Sequence, residues 1–217
     1  MSSPTGIVRA AQLEFGRGEI WGHIAYSLTE YAIGLVFAAV VGVSVGFIAG
    51  WWQRAFFILD PWITILYSTP TVALVPLLII ILGIGLWTNV VVVFLISLFP
   101  IIVNTLVGVQ STGQWHLGVA RSFGATQRKQ WTSVVIPGSL PFILTGLRLA
   151  AVHGMVGVVV AELIAGNRGL GFFMNLAGQY LQSGTVMLGI LIIGLWGVFI
   201  SEVMKRVEDR FEMWRPD

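Results

Sequence analysis

Cysteine is absent from the chain, lysine occurs only at Lys129 and Lys205, and charge of either sign is scarce. Without a thiol there is no disulfide framework, thiolate metal ligand or cysteine nucleophile. Neither lysine closes a glycine-rich loop ending in Gly-Lys-Ser or Gly-Lys-Thr, so the chain lacks a phosphate cradle and cannot itself be an ATPase. The histidines, His23, His116 and His153, stand far apart with no carboxylate at zinc spacing. No metal site is expected. No acid paired with a base at one depth can be found, so no catalytic residue is expected either. Charged residues make up 10% of the chain, against roughly 25% in a soluble domain.

What is present is apolar. Hydrophobic residues are 56% of the chain and the mean hydropathy is +0.88, which no water-facing surface can carry without aggregating. Lipid is the expected solvent. The net charge of +2 comes from basic residues scattered between apolar runs, the pattern of a membrane topology signal rather than of a nucleic-acid surface. Met1 to His23 is polar and mixed in charge, without the short apolar core of a cleavable signal.

The fold class expected is an all-α membrane protein with about five transmembrane helices. Tyr31 to Gln53 carries no Asp, Glu, Lys or Arg and makes the first span, since about 20 apolar residues cross the hydrocarbon core. Pro61 to Ala120 is equally uncharged and long enough for two spans, with Gly83-Ile84-Gly85 as the turn between them. Ser139 to Ala161, interrupted by Arg148 alone, and Gly169 to Ser201 supply the fourth and fifth. The organisation expected is an interfacial segment at 1–23, a membrane domain at 24–208 with a polar loop at 111–133, and a tail at 209–217.

Placing Arg54, Arg121, Arg128, Lys129, Lys205, Arg206, Arg210 and Arg215 in the cytoplasm leaves only Arg9, Arg17 and Arg168 outside. The C-terminus is then cytoplasmic and, with five spans, the N-terminus external. Ile7 to His23 reads as an interfacial helix with Leu13, Phe15, Ile20 and Trp21 toward lipid.

Gly34, Ala38, Gly42, Gly46 and Gly50 recur every four residues in the first span, giving a face almost free of side chains against which another backbone can lie. Whether that neighbour belongs to the same chain stays open. Pro70 and Pro76 predict a bent or broken second span, and Ser68, Thr69 and Thr71 place hydroxyls at the break. They line a solute pathway or bond their own helix; Asn104, four residues after Pro100, poses the same choice and is assigned to the pathway. Arg148, His153 and Glu162 are ionisable groups inside one span and therefore need a partner or a pathway. Arg148 also reads as a snorkel or interhelical pair and His153 as a neutral helix contact. The nine residues from His153 to Glu162 are too many for a proton relay.

Ser111 to Trp131 holds Arg121, Arg128 and Lys129 and no acid, and Leu117, Val119, Ala120 and Phe123 among polar neighbours predict a short cytoplasmic helix ended at Gly124. Gly118-Val119-Ala120-Arg121-Ser122-Phe123-Gly124, followed after nine residues by Val134-Val135-Ile136-Pro137, resembles the EAA loop of binding-protein-dependent ABC importer permeases. Ala120, Gly124 and Pro137 match that loop; Gly118 and Val119 stand where it has glutamate and the first alanine. Leu144 to Arg148, Val160-Ala161-Glu162 and Gly169-Leu170-Gly171-Phe172 are similar to the nitrate, sulfonate and taurine branch, whose members mostly carry one further N-terminal helix. The resemblance implies a coupling helix at Gly118 to Ala125, with Phe123 as its wedge and Arg121 as a polar anchor. It also implies a second permease copy, most simply as a homodimer, two cytoplasmic ATPase subunits holding ATP and Mg, and an external solute-binding protein. The solute implied is small and polar or anionic. A secondary transporter subunit is the alternative, but it would show an inverted repeat and several intramembrane carboxylates; a membrane scaffold would not need the spaced loop.

Overall fold

The structure, a computed structural model, describes residues 4–112 and 114–211; the first three positions and the end of the expected tail lie outside the described residues. It is helical, with no strand among the described residues. In chain order the helices are α1 (Pro4–Arg17), α2 (Glu19–Trp51), α3 (Gln53–Ser68), a 3-10 turn at Thr71–Leu74, α4 (Val75–Leu82), α5 (Leu86–Ser111), α6 (Gln114–Ser122), α7 (Gln127–Gln130), a π turn at Trp131–Val135, α8 (Ile136–Ala165), α9 (Leu170–Gln179) and α10 (Ser183–Phe211). Four stretches, containing α2, α5, α8 and α10, are long and apolar enough to cross a membrane, and the pair α3 with α4 makes a fifth when taken as one broken span.

The breaks have local causes. Gly18 at φ +77° separates α1 from α2, a left-handed backbone that a side chain would strain. At Thr69 and Pro70 the backbone is extended, because the proline ring disfavours helical geometry in the residue before it. Pro76 lies in the first turn of α4, where no intrahelical donor is needed, so it starts a helix rather than kinking one. The wide turn at Trp131–Val135 precedes Pro137, whose ring would crowd the carbonyl four residues earlier in a regular α-helix.

The chain forms two compact units, each containing parts of the four long helices. The first comprises Met1–Phe37, Pro70–Ile96 and Val152–Ile200. In it Tyr31, Val93, Met155 and Val158 form a core under Trp196, whose ring meets Tyr31 edge-on at 5.2 Å. A second core joins Val75, Val92, Ala161 and Ala165, and a third joins Ala10, Ile20 and Leu188. Ile20 was expected to face lipid and instead is fully buried. Gly18 re-aims the chain, so Ile20 turns inward while Leu13 and Trp21 stay exposed.

The second unit comprises Ala38–Thr69, Ser97–Ala151 and Ser201–Asp217. A Cβ on Gly42, Gly46 or Gly50 would lie 2.9, 2.6 or 2.7 Å from the Cβ of Ile101, Thr105 or Val109 respectively. The pairs advance together, so α2 and α5 run parallel here with their backbones in close approach. Gly34 meets Val93 in the same way within the first unit. The neighbour left open by the sequence is therefore in the same chain. A second seam in the second unit sets Gly138 and Gly146 of α8 against Thr112, just past α5, and Asn104 of α5, and Gly108 of α5 against Phe142. These pairs advance in opposite directions, so α5 and α8 are antiparallel.

The last span also differs from its expected start. Gly169 to Gln182 is not the head of a membrane helix: α9 is a separate ten-residue element, and a turn with Leu181 at φ +56° precedes α10. At the other end α10 continues to Phe211, past the domain edge expected at 208.

Candidate functional site

The polar loop after α5 folds as a short helix with a defined stop. Helix α6 ends at Ser122, and Gly124 at φ +71° turns the chain. The Gly124 amide donates to the Arg121 carbonyl at 2.9 Å and the Ala125 amide to the Ala120 carbonyl at 3.0 Å, the paired bonds of a Schellman stop. Gly124 can hold this left-handed position because it has no Cβ. Phe123, just before it, is 87% exposed. Val119 lies one turn earlier on the same side and is also exposed. An apolar pair of this kind, in water beside two membrane helices, lacks a partner within the described chain.

The loop is braced from below. Gln130 is buried; its side-chain amide donates to the Ala125 carbonyl at 2.9 Å, and its oxygen lies 3.5 Å from the Arg121 Nε. Next to it the Trp131 ring packs against Trp51 at 4.6 Å and Phe47 at 6.0 Å. Sequence reasoning missed both residues, since a glutamine in a polar loop gives no sign of burial. For the tryptophan pair the signal that could have found it is the preference of tryptophan for membrane boundaries.

The residues assigned to a pathway fall in several settings. Ser68 is exposed at the end of α3, whereas the Thr69 hydroxyl donates to the Ile65 carbonyl of its own helix at 2.8 Å. Thr71 opens the 3-10 turn and is half-buried. Asn104 is half-buried and its side-chain amide donates to the Pro100 carbonyl at 2.8 Å. Arg148 pairs with Glu208 of α10 at 3.0 Å, and Glu208 also accepts the Thr145 hydroxyl at 2.9 Å. His153 lies on the exposed side of α8 beside Val152 and Val156.

Glu162 is 1% exposed and fully engaged. It accepts the Ser27 hydroxyl at 2.5 Å and the Gly171 amide at 2.6 Å. The Ser27 oxygen accepts the Leu170 amide at 2.8 Å, and the His23 Nδ1 accepts the Gly169 amide at 3.1 Å. Three successive amides at the start of α9 thus find side-chain acceptors, which satisfies donors that a helix N-terminus leaves free and sets a carboxylate at its positive end. Gly169 and Gly171 pack directly on Glu162, leaving no room for a Cβ. Nearby, Glu30 and Asn89 are both fully buried and joined at 2.9 Å. Sequence reasoning did not mark Ser27, Glu30 or Asn89, because their partners lie far along the chain. Among the described residues no group of His, Asp and Glu has the arrangement of a metal site.

Residues 38–213 match the family described as binding-protein-dependent transport system inner membrane component. The taurine transport system permease protein TauC of Escherichia coli is 35% identical over 195 residues, covering 90% of this chain and 71% of that protein. A putative aliphatic sulfonates transport permease protein of Bacillus subtilis is 30% identical over 99% of this chain and 78% of its own length. A probable ABC transporter permease protein of Brucella abortus is 31% identical, with coverages of 99% and 86%. Among solved structures, an inward-facing MetNI methionine ABC transporter shares the fold at a TM-score of 0.79 and 16% identity, over 97% of this chain and 99% of that one.

Proposed function

This chain belongs to the family of binding-protein-dependent transport system inner membrane components and is an ABC importer permease; from that premise we propose that α6 is the helix through which it is driven. Gly118 to Ala125 would seat in a cleft of a cytoplasmic ATPase subunit, with Phe123 buried there, while the Arg121 side chain turns back toward the ends of α2 and α5. The observation that carries this reading is Phe123, 87% exposed at the rigid stop of α6. An exposed aromatic at a structured turn is the kind of anchor that fills a partner's pocket.

A multi-pass inner-membrane permease works with an ATPase and a solute-binding protein; two ATPase subunits, two copies of this chain as a homodimer, and an external binding protein make the simplest assembly. ATP and Mg are held by the ATPases, and this chain performs no chemistry of its own. Closure of the ATPases on ATP moves α6 as a rigid body and tips the long helices, giving alternating access. Ser68, Thr69, Thr71, Asn104 and His153 are assigned to the solute pathway, Arg148 to its edge through the pair with Glu208, and Glu162 to shaping it through α9. The C-terminus is cytoplasmic and the N-terminus external. The names of the similar permeases support a sulfonate or taurine-like solute, small and anionic or zwitterionic.

Affinity purification of the chain in mild detergent, with mass identification and ATPase assay of what accompanies it, tests the assembly. A stoichiometric ATPase is expected. A chain that comes down alone, or solute flux that runs on an ion gradient without ATP, would sink it.

A further inference from the structure

Helix α6 has two faces, and the reading above uses only one. Val119 and Phe123 are on the exposed face. Leu117 and Arg121 are also one turn apart, but two residues out of step, which at about 100° per residue places them on the opposite side. They line a cavity of about 800 Å³ in the second unit, bounded by Trp51 and Gln53 where α2 gives way to α3, Phe57 on α3, and Gln110 near the end of α5.

The lining has a definite chemistry. Arg121 is its single cation and, among the described residues, no acid lines it. The Arg121 Nε lies 3.5 Å from the Gln130 oxygen, and among the described residues no hydrogen bond engages the outer nitrogens of the guanidinium fork, the pair that suits an anion. Gln53 and Gln110 add amide donors. Trp51 and the exposed Phe57 ring give the mouth an apolar rim. The cavity also sits where α2 and α5 end, with Trp51, Trp52 and Trp131 gathered around one point. Tryptophans cluster in that way at headgroup level. A fixed cation with amide donors at that depth, below an aromatic rim, is matched to a phosphate diester carrying acyl chains.

We propose that this cavity binds the phosphate headgroup of an anionic phospholipid, which seats the inner face of α6 while its outer face stays free for a protein partner. The chemistry shared with a free phosphate ion is the Arg121 fork; the aromatic rim argues for the lipid. Because the lipid and the ATPase would use opposite faces, the failure of one reading leaves the other standing.

The test uses the full-length chain with its copurified partners, stripped of lipid and returned to vesicles of phosphatidylcholine alone or mixed with phosphatidylglycerol, then examined by native mass spectrometry. One phosphatidylglycerol per chain is expected to survive, with no phosphatidylcholine in its place. Arg121→Gln should lower that retention about tenfold, the loss of one charge-assisted contact, and Arg121→Lys should recover part of it. Gln53→Ala, at an exposed position on the opposite wall, should lower it more mildly and guards against a folding defect in the arginine variant. Equal retention of the two lipids, or retention unchanged in both Arg121→Gln and Gln53→Ala, overturns the proposal. Displacement of phosphatidylglycerol by inorganic phosphate alone overturns the lipid source and assigns the cavity to the free ion.

Discussion

The Glu162 carboxylate accepts the Ser27 hydroxyl at 2.5 Å, a bond between residues 135 positions apart. It joins the end of α8 to the early turns of α2, and the same carboxylate takes the Gly171 amide at the start of α9. A charged residue in an apolar span is thereby explained by a backbone need: without it, the buried Gly171 amide at a helix start would have no acceptor.

Glu162→Ala should therefore destabilise the protein rather than merely slow it. The Gly171 amide would be left buried and unpaired, at about 1–3 kcal/mol. Glu162→Gln keeps an acceptor for that amide and should cost less. Thermal unfolding in detergent reads both; equal melting temperatures for the alanine variant and wild type would refute the clasp.

The glycine seam makes a second, opposite pair of expectations. A valine at Gly46 would put its Cβ 2.6 Å from the Thr105 Cβ and 2.8 Å from the Ile102 carbonyl, so Gly46→Val should lower stability by about 1–3 kcal/mol or more. Gly194, on α10, has nothing within 4 Å of its Cβ position. Gly194→Ala should be neutral or should stabilise by up to about 1 kcal/mol through helix propensity. The two melting temperatures should move apart.

Phe123→Asp should abolish ATP-driven uptake while leaving expression, membrane insertion and melting temperature unchanged, because the side chain contributes nothing to the fold at 87% exposure. Uptake at the wild-type rate would remove α6 from the coupling mechanism.

Gly124→Val should weaken the same function from within. The left-handed backbone at φ +71° costs a side chain about 1–2 kcal/mol, enough to loosen the turn that sets Phe123. Reduced uptake, with the copurifying ATPase lost in proportion, is the expected result; full coupling in the variant would show that the stop is dispensable.

Arg148 and Glu208 are 41% and 21% exposed, and a coupling energy of about 0.2–1 kcal/mol, that of a partly exposed pair, is expected from a double-mutant cycle of unfolding. If uptake falls in Arg148→Gln, unchanged stability with a raised KM would favour solute contact, whereas recovery in the Arg148→Glu/Glu208→Arg exchange would favour the pair.

The amino-acid sequence alone determined the solvent, the helical class, the breaks at Pro70 and Gly83–Gly85, and the short helix ending at Gly124. Each depends on a local property: twenty uncharged residues match a bilayer, proline removes a donor, and glycine accepts a backbone that other residues resist. The four-residue glycine repeat in α2 showed in the same way that a close neighbour was needed. Only the tertiary structure decided that this neighbour is α5, that a second seam joins α5 to α8, and that Ile20 faces inward. It also decided the partners of Arg148 and Glu162, the brace made by Gln130, and the separation of α9 from α10. A polar side chain in a helix carries no mark of where its partner lies. That choice is made when distant helices pack and each buried donor must find whichever acceptor the packing has brought within reach.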